Sequence, residues 1–397
     1  MRRPVMWMAA FGVVGAVWTP ALAGDAPGPA AWHSGGELSF DLTAEHPVEL
    51  PDRPWTPRVE ALPGPAMEDL EKAAVRLSLP SFTNSVSVAG KRYTFTQLGA
   101  DPSRSRAPNT VLPVVIIKVA ALFDDGSFFA PDQFLDPCAP RLLPAATLVA
   151  QSPIFQPADY GDGARQYVEE FRRLEFWSLT GARGGRNPNY SVTVAPNWLQ
   201  VGALVKFHGF PTMPAPCGRI GLVDIKVWDS LLRQTAIPAF RQYGAGPGSL
   251  VLFLLSNVVF YDGDQKKCCT LGYHSWFNLG GIQTYGVAEI DSSQDFKNVF
   301  DVGVLAHELG EWYDDPLVNN VTPRWGHVGQ VSGCQSNLEV GDPLSGHFLE
   351  VAMPNGVTYH PQELAFFSWF FGQKPSLGFD GWYSMGGTFR TPASPCH

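Results

Sequence analysis

Charge is scarce in this chain of 397 residues: Asp, Glu, Lys and Arg make up 16%, with 28 basic against 37 acidic side chains and a formal net charge of −9. So few basic residues argue against nucleic acid or an anionic membrane surface as a partner. There is no Cys-x-x-Cys pair, which disfavours a four-cysteine zinc site or a thioredoxin-like redox centre. There is no Gly-x-Ser-x-Gly elbow to frame a nucleophilic serine. Phosphate-loop and dinucleotide fingerprints are missing too. The nearest run, Gly181-Ala182-Arg183-Gly184-Gly185, lacks the Gly-Lys-Ser/Thr ending and the Gly-x-Gly-x-x-Gly spacing. Beyond the first residues, no stretch is long and apolar enough to span a bilayer as a helix. No internal repeat is evident.

The chain opens with a secretory pattern. Arg2 and Arg3 precede an apolar stretch from Val5 to Trp18, and Ala21-Leu22-Ala23 offers a cleavage site. Residues 1–23 are therefore expected to be a signal peptide, leaving a secreted or periplasmic product with no stable membrane span; a retained anchor is the alternative. Its removal takes two arginines and no acid, moving the formal charge from −9 to −11. Six cysteines (Cys138, Cys217, Cys268, Cys269, Cys334 and Cys396) suit an oxidising compartment and can form three bridges. Cys268 and Cys269 are adjacent and are expected to pair with two separate partners.

The 40 glycines and 35 prolines imply many turns and long loops. Residues 24–80 read as a Pro/Gly-rich arm or pro-segment with one short helix near Met67–Leu77; such an arm could cover a site until removed. Residues 81–397 read as one domain. Val86, Val88, Tyr93 and Phe95 alternate around Ala89-Gly90 as in a β-hairpin. Val111–Phe123, Tyr190–Val194, Leu250–Tyr261 and Thr284–Ile290 read as strands, and Arg165–Trp177, Leu222–Gln234 and Glu363–Phe371 as helices. The expected class is α+β: a zincin-like mixed sheet, a helix carrying the functional motif from Asn298 to Pro316, and a loop-rich C-terminal part.

That motif helix reads Val304-Leu-Ala-His307-Glu308-Leu-Gly-Glu311-Trp-Tyr-Asp314-Asp315-Pro316. His307 and Glu311 lie four apart, so one helix face can present both to a single ion. Glu308 stands where the helical metalloprotease motif His-Glu-x-x-His keeps its general base, with Glu311 replacing the second histidine. At 100° per residue, His307, Glu308, Glu311, Asp314 and Asp315 share about a third of the circumference, and no Lys or Arg lies among them. A solvated helix face, the plainer alternative, would mix in basic residues. A catalytic site needs a third protein ligand, and Glu339 in Asn337-Leu-Glu339-Val-Gly-Asp342 is the choice, with Asp342 in reserve. Asp315 lies eight residues past His307, about 12 Å along the axis, so it is assigned to support behind the ligands or to the turn at Pro316. The ion is expected to be divalent, zinc first, with manganese the harder alternative for so acidic a site. His274, Tyr313 and His327 are candidates to stabilise an oxyanion.

Ala306-His307-Glu308-Leu309-Gly310-Glu311, Asp315-Pro316-Leu317 and Glu339-Val340-Gly341-Asp342 together resemble the signature core of the phosphate-induced (Exordium-like) extracellular proteins and of related exported bacterial His-Glu-x-x-Glu proteins. Cys268-Cys269 with Gly272-Tyr273-His274 lies upstream, and Phe366-Phe367-Ser368-Trp369 downstream, as in that group. The resemblance covers roughly residues 260–372 and departs after Asp342, where Pro343 replaces an acid-Leu-Cys continuation. It implies a zincin-like fold in an extracellular setting and little about substrate. The expected function is a secreted metallopeptidase of the zinc type, in which Glu308 serves metal-activated water as base and the substrate is a peptide or another acyl compound. The rival is a non-catalytic exported binding module with a structural or vestigial ion, whose Trp369, Phe370 and Phe371 would face a carbohydrate or protein. A fourth protein ligand, His327, His347 or Asp342, would favour that rival by closing the coordination.

Overall fold

A computed structural model describes residues 36–45, 57–62, 77–104, 106–133, 143–161, 163–181 and 185–397. The expected signal peptide and most of the expected Met67–Leu77 helix lie outside them. In chain order the strands are β1 (Glu37–Thr43), β2 (Arg58–Ala61), β3 (Ser81–Val88), β4 (Lys91–Leu98), β5 (Thr110–Phe123), β6 (Phe128–Phe129), β7 (Ala158–Asp159), β8 (Ala164–Arg165), β9 (Val192–Trp198) and β10 (Gly202–His208). They continue with β11 (Thr212–Pro214), β12 (Arg219–Asp224), β13 (Leu250–Ser256), β14 (Val258–Asp262), β15 (Asp264–Asn278), β16 (Ile282–Ile290), β17 (Val321–Val328), β18 (Val331–Asn337), β19 (Val351–Ala352) and β20 (Thr358–Tyr359).

Twelve of these form one mixed sheet in the order β1-β10-β5-β13-β16-β15-β14-β12-β11, with β2 on β15 and β6 and β9 on β5. The α+β expectation holds at that level. Pairing is parallel from β1 to β16, and β15 runs antiparallel to both β14 and β16. Both faces are covered, as parallel strands require. Along β5, Leu112, Val114 and Ile116 pack into one apolar core, while Val115, Ile117 and Val119 pack into the other. The first core holds the motif helix (Gly303–Asp314), the Tyr167–Glu175 helix and the Phe367–Phe370 turn. The second holds the Ile225–Leu231 helix, with Trp228 fully buried. Two strands fall in the proline-rich arm: β1 pairs with β10, and β2 with β15.

Several elements differ from the sequence expectations. Leu222 and Val223 belong to β12, and the following helix starts at Ile225, because Asp224 accepts hydrogen bonds from the Lys226 and Val227 amides. The run Leu250–Tyr261 is two strands, broken at Asn257 with φ of 53°. The aromatic helix shrinks to one turn, and the motif helix begins at Gly303 rather than Asn298. Cys268 and Cys269 are bonded to each other across a cis peptide, which corrects the expectation of separate partners. Cys334 bonds Cys396, and Cys217 is also disulfide-bonded.

Candidate metal centre

Every residue of the motif helix is buried, its acidic side included. Glycines allow this enclosure. A Cβ at Gly303 would meet the Phe348 ring at 2.7 Å, and one at Gly272 on β15 would sit 2.6 Å from Val304 Cγ1 and 3.2 Å from Glu308 Oε1. Across the helix, Gly341 lies flat against the His307 ring, where a Cβ would come within 2.6 Å of Cγ and Nδ1. The strand β15 and the turn 339–342 thus close on the motif from opposite sides.

Hydrogen bonding fixes the His307 tautomer. Gln362 donates its amide NH₂ to the Gly341 carbonyl at 2.8 Å, which turns its Oε1 toward His307 Nδ1 at 3.2 Å. Nδ1 must then carry the proton, leaving a lone pair on Nε2. That atom lies 2.9 Å from Glu311 Oε1 and 3.6 Å from Asp342 Oδ1, yet in hydrogen-bond geometry with neither. His307, Glu311 and Asp342 bring one ligand atom each within 4.8 Å of one another. Glu339 and Glu311 lie carboxyl to carboxyl and hydrogen-bond each other, and among the described residues no donor outside the pair reaches Glu311 Oε2 or Glu339 Oε2. Asp342 is held differently: Gln335 donates to Oδ2 at 2.7 Å and Gln330 donates to Oδ1.

A second group, His274, Glu308 and Glu311, likewise brings one ligand atom each within 4.8 Å of one another. His274 Nε2 lies 3.2 Å from the Asp315 carbonyl and so acts as the donor. A neutral imidazole then has its lone pair at Nδ1, so the 3.0 Å contact with Glu308 Oε2 needs a proton between the two. Burial holds His274 at about 4 and keeps His307 below its ordinary value, so both are neutral near pH 7. Burial, reinforced by neighbouring carboxyls, pushes Glu311 and Glu339 well above the usual glutamate range. Among the described residues no lysine or arginine pairs with either acid.

The other expected positions sort cleanly. Asp315 serves the turn at Pro316: its carboxylate accepts from the Asn319 and Asn320 amides, and burial pushes it to about 7. Asp314 turns away from the centre into an ion pair with buried Arg172 at 2.7 Å, so its charge is compensated from another helix. Tyr313 packs beside Arg172, and His327 lies by the Cys334–Cys396 bridge; neither reaches the centre. His347 is exposed. Trp369, Phe370 and Phe371 are core residues at 5% exposure or less and cannot face a carbohydrate or protein. Gln362, Gln330 and Gly341 escaped sequence reasoning. Only Gly341, inside the Glu339–Asp342 segment, stood close to a recognised signal.

Two cavities open beside the centre. One of about 520 Å³ is lined by Glu339, Asp342, Gln335, Asn337 and Arg58. The other, about 230 Å³, is lined by Leu271, Val299, Val304, Phe348 and Gln362. Val59 and Gln330 line both. Comparison with protein-family models, curated proteins and solved structures finds no match.

Proposed function

We propose that this protein is an exported metal-dependent hydrolase of the zinc-metallopeptidase type, acting on peptides or other acyl compounds. One observation carries the reading: the His307 Nε2 lone pair and Glu311 Oε1 face each other at 2.9 Å with no hydrogen bond between them. Two acceptors so placed repel unless a proton or a metal cation joins them, and Oε1, which accepts from the Gly341 amide at 3.1 Å, is set to meet a cation. The donor set fits a divalent ion: an imidazole whose far nitrogen is anchored to an amide oxygen, and buried carboxyls without a basic partner. His307 and Glu311 would hold it with Glu339, whose Oε2 meets no donor outside the Glu311–Glu339 pair among the described residues. Asp342, whose oxygens already accept from two glutamines, is the alternative third ligand.

Bound there, the ion would supply Lewis-acid polarisation of the substrate carbonyl and acidification of water. The chain's own groups do the rest. Glu308 takes the proton of the attacking water and returns it to the leaving group. It can act as base when the proton it shares with His274 rests on Nδ1, 3.0 Å from Oε2, a nitrogen that also orients the carboxyl. Burial of the whole group keeps bulk water from competing.

The binding-module reading keeps one support: Asp342 lies close enough to His307 to complete a closed, structural coordination. Metal analysis followed by a peptide-library screen separates the two. The unaltered protein should hold one zinc or manganese ion and cleave peptides. His307→Ala should lose the ion, and Glu308→Gln should keep it while losing at least about 100-fold in rate. A protein that binds the ion in the same manner but cleaves nothing would establish the structural reading. One that binds no ion would sink both.

A further inference from the structure

β15 presents one edge to β16 along Gly272–Asn278. Its other edge is covered by β14 only as far as Thr270. From there β2 takes over, running parallel to β15 with Val59 opposite Gly272 and Ala61 opposite His274, and the Leu62 amide donates to the His274 carbonyl at 3.1 Å. The segment 57–62 thus lies along the edge that carries His274, beside the glycine against which Glu308 rests.

Among the described residues, no strand pairs with its far side. There the side-chain amide of Gln330 takes both main-chain groups of Val59: Oε1 accepts from Val59 N at 3.1 Å and Nε2 donates to Val59 O. The same amide is tied to the candidate centre, since Nε2 also donates to Asp342 Oδ1, and Ser345 Oγ donates to Oε1 at 2.9 Å. A fixed amide that reads an N–H and a C=O of one residue recognises any extended peptide, whatever its side chain. Side-chain selection falls to the cavities flanking Val59, one polar beside Glu339 and Asp342, the other apolar and walled by Leu271, Val299, Val304 and Phe348.

We propose that residues 57–62 sit where a peptide ligand sits, so that the cleft binds an extended peptide between the β15 edge and Gln330, with an apolar side chain directed to the Leu271–Phe348 cavity. The proposal rests on the hydrolase reading for its purpose and narrows the substrate to extended peptides, but the binding needs neither ion nor turnover. An intramolecular occupant outcompetes a free peptide through its effective concentration, so β2 must lift for a second strand to enter.

The test uses the full chain carrying Glu308→Gln, without added metal, and a capped fluorescent peptide Pro-Arg-Val-Glu-Ala-Leu copied from residues 57–62. Val59→Pro deletes the amide that Gln330 accepts from and loosens β2. It should bind the probe at least about tenfold tighter than the chain with Val59. Adding Gln330→Ala, or replacing the probe's valine with Asp, should abolish the gain. Equal binding with and without the Val59→Pro substitution, or indifference to the Asp probe, would overturn the proposal. Hydrogen exchange on the chain that keeps Val59 decides independently of how Val59→Pro folds: saturating probe should accelerate exchange of the amides in 57–62, and unchanged protection would count against displacement. Failure of catalysis or of metal binding leaves these readouts intact.

Discussion

His307 has one nitrogen committed and one open, and the commitment comes from a residue 55 positions away. Gln362 can hold Nδ1 only because Gly341 lets the turn approach the ring. Gly341→Ala puts a methyl where no space exists, so it should cost roughly 1–3 kcal/mol of stability in denaturant unfolding and weaken zinc or manganese binding. The ring would have to move, and Glu311 would lose the Gly341 amide that donates to Oε1 at 3.1 Å. Normal metal affinity in Gly341→Ala would show that the ring position is not set by this contact. Local spacing made His307, Glu308 and Glu311 legible in the sequence, since i,i+4 geometry is a property of any helix. It could not reveal Gln362 or Gln330. A glutamine in a loop carries no sign of the partner to which the fold delivers it.

The motif helix was legible as a helix but not in its surroundings. Its acids read as one continuous stripe on about a third of the circumference, yet the helix is buried on all sides and the stripe is divided between two environments. The first part faces the candidate centre. Asp314, three residues past Glu311, joins Arg172 and Glu175 of the Tyr167–Glu175 helix, with Gln97 Nε2 donating to it at 2.8 Å. Arg172 also donates to the Tyr313 carbonyl at 3.0 Å, so one fully buried guanidinium fastens two helices. Arg172→Met should cost about 3–5 kcal/mol, because two buried carboxyls lose their counter-charge. The loss should appear as a lowered denaturation midpoint with metal stoichiometry unchanged; loss of the ion instead would mean that the pair also sets the ligand geometry. Strand β15 escaped notice for a related reason. With both faces buried from Cys268 to Phe277 and a polar start at Asp264–Lys267, it shows neither alternation nor an uninterrupted apolar run.

Across the whole molecule, the mixed sheet was anticipated but its order was not, since pairing partners leave no local signature. One surface cluster does report on that order. His208, at the end of β10, contacts Asp124 just past β5 at 2.8 Å and Asp41 on β1 at 3.2 Å. The two aspartates raise the His208 pKa, and the Gly209 amide together with His208 lowers that of Asp124. A raised imidazole value means stability that is present at low pH and lost as pH climbs through the folded-state value. A lowered carboxylate value means stability present at higher pH and lost on acidification. The melting temperature of the unaltered protein should therefore exceed that of His208→Ala most between roughly pH 4 and 6.5, and the gap should close toward alkaline pH. A gap independent of pH would assign the effect to packing.

The interior position of β13 has a consequence for how the chain reaches this structure. Leu250–Ser256 is apolar in six of seven positions and buried throughout, between β5, which ends at Phe123, and β16, which begins at Ile282. Parallel pairing over such separations in sequence is slow, because loop closure precedes the reward of contact. Until both neighbours arrive, Leu250–Ser256 is an uncharged, sticky ribbon of the kind that seeds intermolecular association. Pro247 and Gly248 on one side and Asn257 on the other are the breaks that confine it. Refolding yield should thus fall as protein concentration rises, making this interior strand the chief hazard of the sheet's assembly.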